Sequence, residues 1–151
     1  MIQQLCEHDC QFAIQHGEFA PDVIASARCV AVILTQSWCP QWNRMQMYLP
    51  EAEKRLAVQL EITTAGQSSS LITGASDNLD NQQKQGTKEV IDLLHIYYIE
   101  YDREPWFETF MEFKETVFNN REIPYVRYYK AGKLTNESNY VPLDGFIARL
   151  K

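Results

Sequence analysis

The sequence predicts an α/β domain built on a central, partly parallel sheet. Three observations carry that reading. Residues 29–35 (CVAVILT) form a continuous apolar run rich in β-branched side chains, as in a strand buried on both faces. Met45, Leu49, Ala52, Leu56 and Leu60 follow at helical spacing, with charged residues between them. Residues 95–101 and 125–130 then have the β-branched and aromatic content of further strands, and a helical segment closes the chain.

The elements are read in chain order. Over 5–15, Leu5, Phe12 and Ala13 mark an amphipathic helix with His16-Gly17 as its C-terminal cap, and Pro21 suits the start of a short helix. The strand at 29–35 should be central. The helix after it contains Pro50, which removes a backbone donor and predicts a kink near Tyr48 and Leu49. Residues 63–87 turn to Gly, Ser, Asn and Gln with few apolar anchors, so they read as a mobile insertion. A short helix over 89–94 and the strand at 95–101 follow, with Asp102 placed to cap the next helix. In that helix Phe107, Phe110, Met111, Val117 and Phe118 face the sheet, and Asn119-Asn120 stop it. Residues 125–134 read as a hairpin turning at Ala131-Gly132, and 142–150 as a terminal helix. The chain contains no internal repeat.

The chain has 151 residues, of which 45% are hydrophobic and 23% charged, which suits one globular domain over 1–151. A formal charge of -6, with 14 Lys and Arg and no basic run, disfavours nucleic acid as the main partner. No stretch approaches the roughly 18 apolar residues of a membrane span, and the first residues lack a secretory pattern, so a cytoplasmic home and no membrane partner are expected. Four cysteines, Cys6, Cys10, Cys29 and Cys39, are too few for a disulfide scaffold.

The chemistry-bearing stretch is Ser37-Trp38-Cys39-Pro40-Gln41-Trp42, which joins the central strand to the long helix. It predicts an exposed thiol at a helix N-terminus, where unpaired amides and the helix dipole favour thiolate, the nucleophilic form. Residues 37–42 supply no cation, and Pro40 removes one amide, so the activation is modest.

This stretch resembles the redox motif of the thioredoxin-like superfamily, W-C-x-x-C after a central strand. Ile123-Pro124-Tyr125-Val126 is similar to the family's I-P-x-V element, and 129–134 (YKAGKL) to its K-x-G-x-L turn. The resemblance covers about 28–60 and 95–150. It implies a three-layer α/β/α fold with a central mixed sheet and a cis peptide bond at Pro124, which would lie against Cys39 and expose the Ile123 backbone to an extended peptide or a thiol ligand. It also implies Cys39 as the catalytic residue, with Trp38, Pro40, Trp42, Ile123 and Pro124 as substrate-binding residues.

Two departures define the variant. The family's second cysteine falls on Trp42, and its buried acid, six residues before the first cysteine, falls on Ile33. Exchange between two cysteines of the motif is therefore not expected. A one-cysteine route remains, in which Cys39 attacks a protein disulfide or a peroxide and a low-molecular-weight thiol such as glutathione resolves the product. The competing reading is a non-catalytic thioredoxin-fold module that uses the Trp38, Trp42 and Pro124 surface to hold a protein or peptide, with Cys39 a relic.

The other candidates have structural readings. Trp38 and Trp42 serve either docking or packing around the loop, and Pro124 is structural on the second reading. Cys29 is a core residue, and His95 is satisfied structurally. Cys6 and Cys10, four apart, do not gather His8 and His16 into a four-ligand site, so no metal and no cofactor are expected. The cluster Tyr97, Tyr98, Tyr101, Tyr128 and Tyr129 is sheet packing.

Overall fold

The computed structural model describes residues 1–65 and 92–151. Among them are five strands and five helices: β1 (Ile2–Gln4), α1 (Glu7–His16), α2 (Pro21–Ile24), β2 (Cys29–Thr35), α3 (Pro40–Ala65), β3 (Leu94–Glu100), α4 (Phe107–Thr116), β4 (Tyr125–Lys130), β5 (Lys133–Ser138) and α5 (Leu143–Leu150). A 3-10 turn, Tyr101–Arg103, leaves β3.

The strands form one sheet in the order β1-β3-β2-β4-β5. β1 and β2 pair parallel with β3, whereas β4 pairs antiparallel with both β2 and β5, so the sheet is mixed and β2 is its centre. All seven residues of β2 are buried, as its unbroken apolar run requires. Alternation divides them between two layers. Val30, Val32 and Leu34 pack with the aromatic residues of α4 and with Phe19, Val23 and Ala13. Cys29, Ala31 and Ile33 face Trp42, Met45, Leu49, Ala52 and Leu56 of α3 and Phe146, Ile147 and Leu150 of α5. This is the expected three-layer α/β/α arrangement.

Local signals explain most element ends. Gly17 closes α1 with φ 76°, and its amide donates to the Ala13 carbonyl. Pro21 occupies the first turn of α2, where the donor it lacks has no helical partner to lose. The hairpin turns through Ala131 and Gly132, both left-handed at φ 48° and 74°, the pattern of a tight two-residue connection. Pro50 lies inside α3 without ending it.

Several expectations are corrected. β1 was not expected; its three residues hold the sheet edge through β3, and the Met1 amine is paired with Glu53. Of the insertion expected at 63–87, residues 63–65 are the last turn of α3, and the remainder lies outside the described residues. The helix expected over 89–94 fails at its end, where Leu94 already pairs with Cys29; residues 89–91 lie outside the described residues. Val117 is 54% exposed rather than facing the sheet, because α4 has ended at Thr116. Asp102 does not cap α4, whose first turn follows Trp106 with no side-chain cap.

No helix among the described residues is long and apolar enough to cross a membrane.

Candidate functional site

Strands β1, β2 and β3 are parallel, so their C-terminal ends share one edge of the sheet, where ligand sites of open α/β sheets gather. Thr35 pairs with Glu100 at the end of the β2–β3 ladder, and residues 36–39 leave from there to start α3. Cys39 immediately precedes the helix. Its carbonyl accepts from the Asn43 amide at 3.1 Å, and its own amide donates to the Gln36 carbonyl at 3.1 Å. The thiol thus stands where the orphan amides of the first turn begin.

Its sulfur lies 3.8 Å from the Ile123 carbonyl oxygen. The Ile123–Pro124 peptide is cis. The sequence elements 37–42 and 123–126, 84 residues apart at the Cys39–Ile123 contact, therefore meet in one place. Asn139 supports the second of them, donating through Nδ2 to the Pro124 carbonyl at 3.3 Å.

Cys39 is not the exposed thiol that the sequence predicts: it is 3% exposed. Trp38 is 65% exposed, with its indole N–H donating to Gln36 Oε1 at 2.6 Å. Trp42 is 1% exposed, stacked obliquely on Tyr98 at 5.3 Å between centroids, and donates to Glu100 Oε1 at 2.8 Å. The two tryptophans do not form one surface. Trp42 is a packing residue, because the helical turn that brings it round from Pro40 aims it at β3. Pro40 is exposed, Ile123 half-buried and Pro124 buried.

Sequence reasoning missed the residues that hold this loop. Asp102 accepts from the Ser37 amide at 2.7 Å and from the Ser37 hydroxyl at 2.5 Å. The Tyr101 hydroxyl accepts from Gln36 Nε2 at 3.3 Å, and burial pushes the Tyr101 phenol up despite that bond. Glu100 also meets Arg103 Nε at 3.3 Å. The signal was available: an acid directly after a strand parallel to β2 emerges beside the loop that follows β2.

The remaining candidates are placed elsewhere. Cys10 is fully buried, and burial, reinforced by Asp9 and other acids, raises its thiol far above the ordinary range. Cys6 is exposed and precedes α1 rather than sharing its face with Cys10; its Sγ lies 3.0 Å from Asp9 Oδ2. Cys29 packs in the α3/α5 layer and donates to the Leu150 carbonyl at 3.3 Å; burial raises its thiol too. His95 uses both ring nitrogens, Nδ1 with Ser26 Oγ at 2.9 Å and Nε2 with Asp92 at 2.8 Å. Ser26 in turn engages the Val23 carbonyl and the Tyr97 hydroxyl, so this group ties the start of β3 to the turn before β2. Of the tyrosines, Tyr97, Tyr101 and Tyr129 pack in one layer and Tyr98 and Tyr128 in the other. A cleft of about 320 Å³ lined by Met1, Glu53, Ala57 and 92–95 opens at the start of β3, the opposite end of the sheet from Cys39. No group of three potential metal ligands occurs among the described residues.

The strand order, the helices on both faces and the thiol at the head of α3 beside Pro124 define a thioredoxin-like fold. Solved structures agree. The chain is similar to thioredoxin O2 of Arabidopsis thaliana, with a TM-score of 0.53 at 11% identity over 97% of this chain and 89% of that one. It is likewise similar to thioredoxin O1 of Arabidopsis thaliana, with a TM-score of 0.55 at 11% identity over 99% and 96%. No family model matches the sequence, and no curated protein matches it.

Proposed function

We propose that the chain is a thiol–disulfide redox protein that acts through Cys39 alone. The observation that carries this reading is the meeting of the Cys39 sulfur, at the head of a long helix, with the Ile123 carbonyl beside Pro124. The first-turn amides and the dipole of α3 stabilise negative charge on a thiolate there. That thiolate attacks one sulfur of a partner protein's disulfide. A mixed disulfide forms, and the other sulfur leaves as thiolate with the bonding pair. Trp42 occupies the position from which a second cysteine would resolve the adduct. An external thiol, of the glutathione type, attacks the mixed disulfide instead and regenerates Cys39 while itself becoming disulfide-bonded to the partner. Trp38, Pro40, Ile123 and Pro124 bound the approach, and Trp42 supports it from inside. A cytoplasmic setting, where glutathione is abundant and reducing, suits such a cycle.

A second reading has its own observation. Cys39 is buried while Trp38 beside it is 65% exposed, as in a module that holds a peptide on its surface without reacting with it. Turnover separates the two. With glutathione as reductant, Cys39 should take the glutathionyl group of a glutathionylated peptide, free the peptide thiol and pass the group to a second glutathione as glutathione disulfide, an activity lost in C39S. It should reduce insulin with dithiothreitol poorly compared with a dithiol thioredoxin, because Trp42 stands where a second cysteine would resolve the mixed disulfide within the motif. Equal peptide binding by both proteins with no turnover by either would establish the binding module.

A further inference from the structure

Three consecutive residues at the end of β3 hold the Cys39 loop and the first turn of the helix after it. Glu100 holds Trp42, Tyr101 holds Gln36, and Asp102 holds Ser37. These ties differ in strength. Tyr101 and Gln36 share one neutral bond at 3.3 Å, and Trp42 is fixed independently by its packing. Asp102 grips Ser37 with both carboxylate oxygens, at 2.7 and 2.5 Å, through charge-assisted bonds. Ser37 lies two residues before Cys39, in the part of the loop with no regular structure of its own. The depth at which Cys39 sits therefore depends on where Ser37 is held.

We propose that Asp102 is a positioning residue of the thiol site: its two-point grip on Ser37 holds the 36–39 loop down and sets how far the Cys39 sulfur is offered to a partner. This rests on the reading of Cys39 as the reactive group and adds its control. The grip engages the backbone and hydroxyl of Ser37 and leaves Trp38 outward, so a partner docking on Trp38 pulls against Asp102.

The test is the labelling rate of each thiol by iodoacetamide, followed by mass spectrometry, in wild type, D102A, D102N and S37A. Loss of a charge-assisted pair should raise Cys39 labelling about tenfold in D102A. D102N should rise less than D102A, by about threefold or less, because the amide still accepts from the Ser37 N–H and its NH2 donates to the Ser37 oxygen, without the charge. Cys10 and Cys29, both in the core, should remain protected, and exposed Cys6 should not change. Cys39 rates within about twofold of wild type in D102A, or core thiols rising in step with Cys39, would overturn the proposal. Should D102A not fold, S37A carries the test, since it removes only the hydroxyl bond: a selective rise of about threefold is expected, and no rise overturns it. Labelling requires no disulfide exchange, so the two readings fail separately. A selective rise in D102A alongside a wild type that forms no mixed disulfide would sustain the positioning role and sink the redox cycle.

Discussion

Two of the polar networks among the described residues act on different parts of the domain. One surrounds Arg127 on β4. Its guanidinium lies 3.9 Å over the Phe118 ring, pairs with Glu18 at 2.5 Å and Glu137 at 3.1 Å, and donates to the hydroxyls of Tyr125 and Tyr129. Every member but Glu18 and Phe118 belongs to the hairpin, so the network locks regular structure to the segment between α1 and α2. The other network, Asp102 with Ser37, Gln36 and Tyr101, holds a loop that has no ladder of its own. Breaking the first should cost stability, whereas breaking the second should change the thiol. The first network sits inside a strand and the second just past a strand end.

The largest expected effect is on the first network. R127A takes the cation from Glu18 and Glu137, which keep the Tyr129 and Tyr125 hydroxyls as donors, and empties the space over Phe118, so it should destabilise the fold by about 3 kcal/mol in urea titration. Cys39 labelling should stay near wild type. A cost below about 1 kcal/mol would show that water already satisfies this cluster through the exposed sides of its carboxylates.

Lys114 sharpens the comparison through pH. It is 1% exposed, donates to the Asn120 carbonyl at 2.7 Å, and is brought down to about 8 by burial, partly opposed by Glu115 and Glu122. The unfolded lysine holds its proton to about pH 10.5, so between about pH 8 and 10.5 the unfolded state binds more protons and this residue's contribution to stability rises with pH. The buried thiols Cys10 and Cys29 and the buried Tyr101, Tyr125, Tyr128 and Tyr129, each shifted upward, act in the opposite direction once their unfolded counterparts ionise. The Lys114 contribution is therefore read as the difference between wild type and K114M. That difference should shift in favour of wild type by up to about 3 kcal/mol across this window. A difference independent of pH would mean that Lys114 keeps its proton in the fold.

A smaller effect is expected at Trp42. E100Q keeps an acceptor for the indole and should cost less than about 1 kcal/mol. The smallest is W38A, which should change stability by less than about 0.5 kcal/mol and alter only partner capture.

Much of this was legible in the sequence, for identifiable reasons. The β2 run, the apolar spacing along α3 and the Ala131-Gly132 turn are local patterns, and each produced its element. The match of 37–42 and 123–126 to known motifs pointed to the approach of Cys39 to the 123–126 element, which is made at the Ile123 carbonyl. What was not legible depends on distant partners. β1 is a three-residue strand that exists only because β3 offers an edge, and α4 ends before Val117, which removes it from the core face. Asp102 looked like a helix cap because the residues after it are helical; its partner, Ser37, is 65 positions away. The burial of Cys39 and Trp42 likewise follows from how deeply the loop is held, which no local pattern records.

The central claim is that Cys39 alone forms and releases a mixed disulfide. Intact-mass analysis after exposure to glutathione disulfide tests it most directly, using wild type, C6S and C39S so that the exposed Cys6 is controlled. The account predicts one reversible glutathione adduct at Cys39 in wild type and C6S, removed by added glutathione and absent at that position in C39S. Adducts confined to Cys6, with Cys39 unmodified in the folded protein, would contradict it.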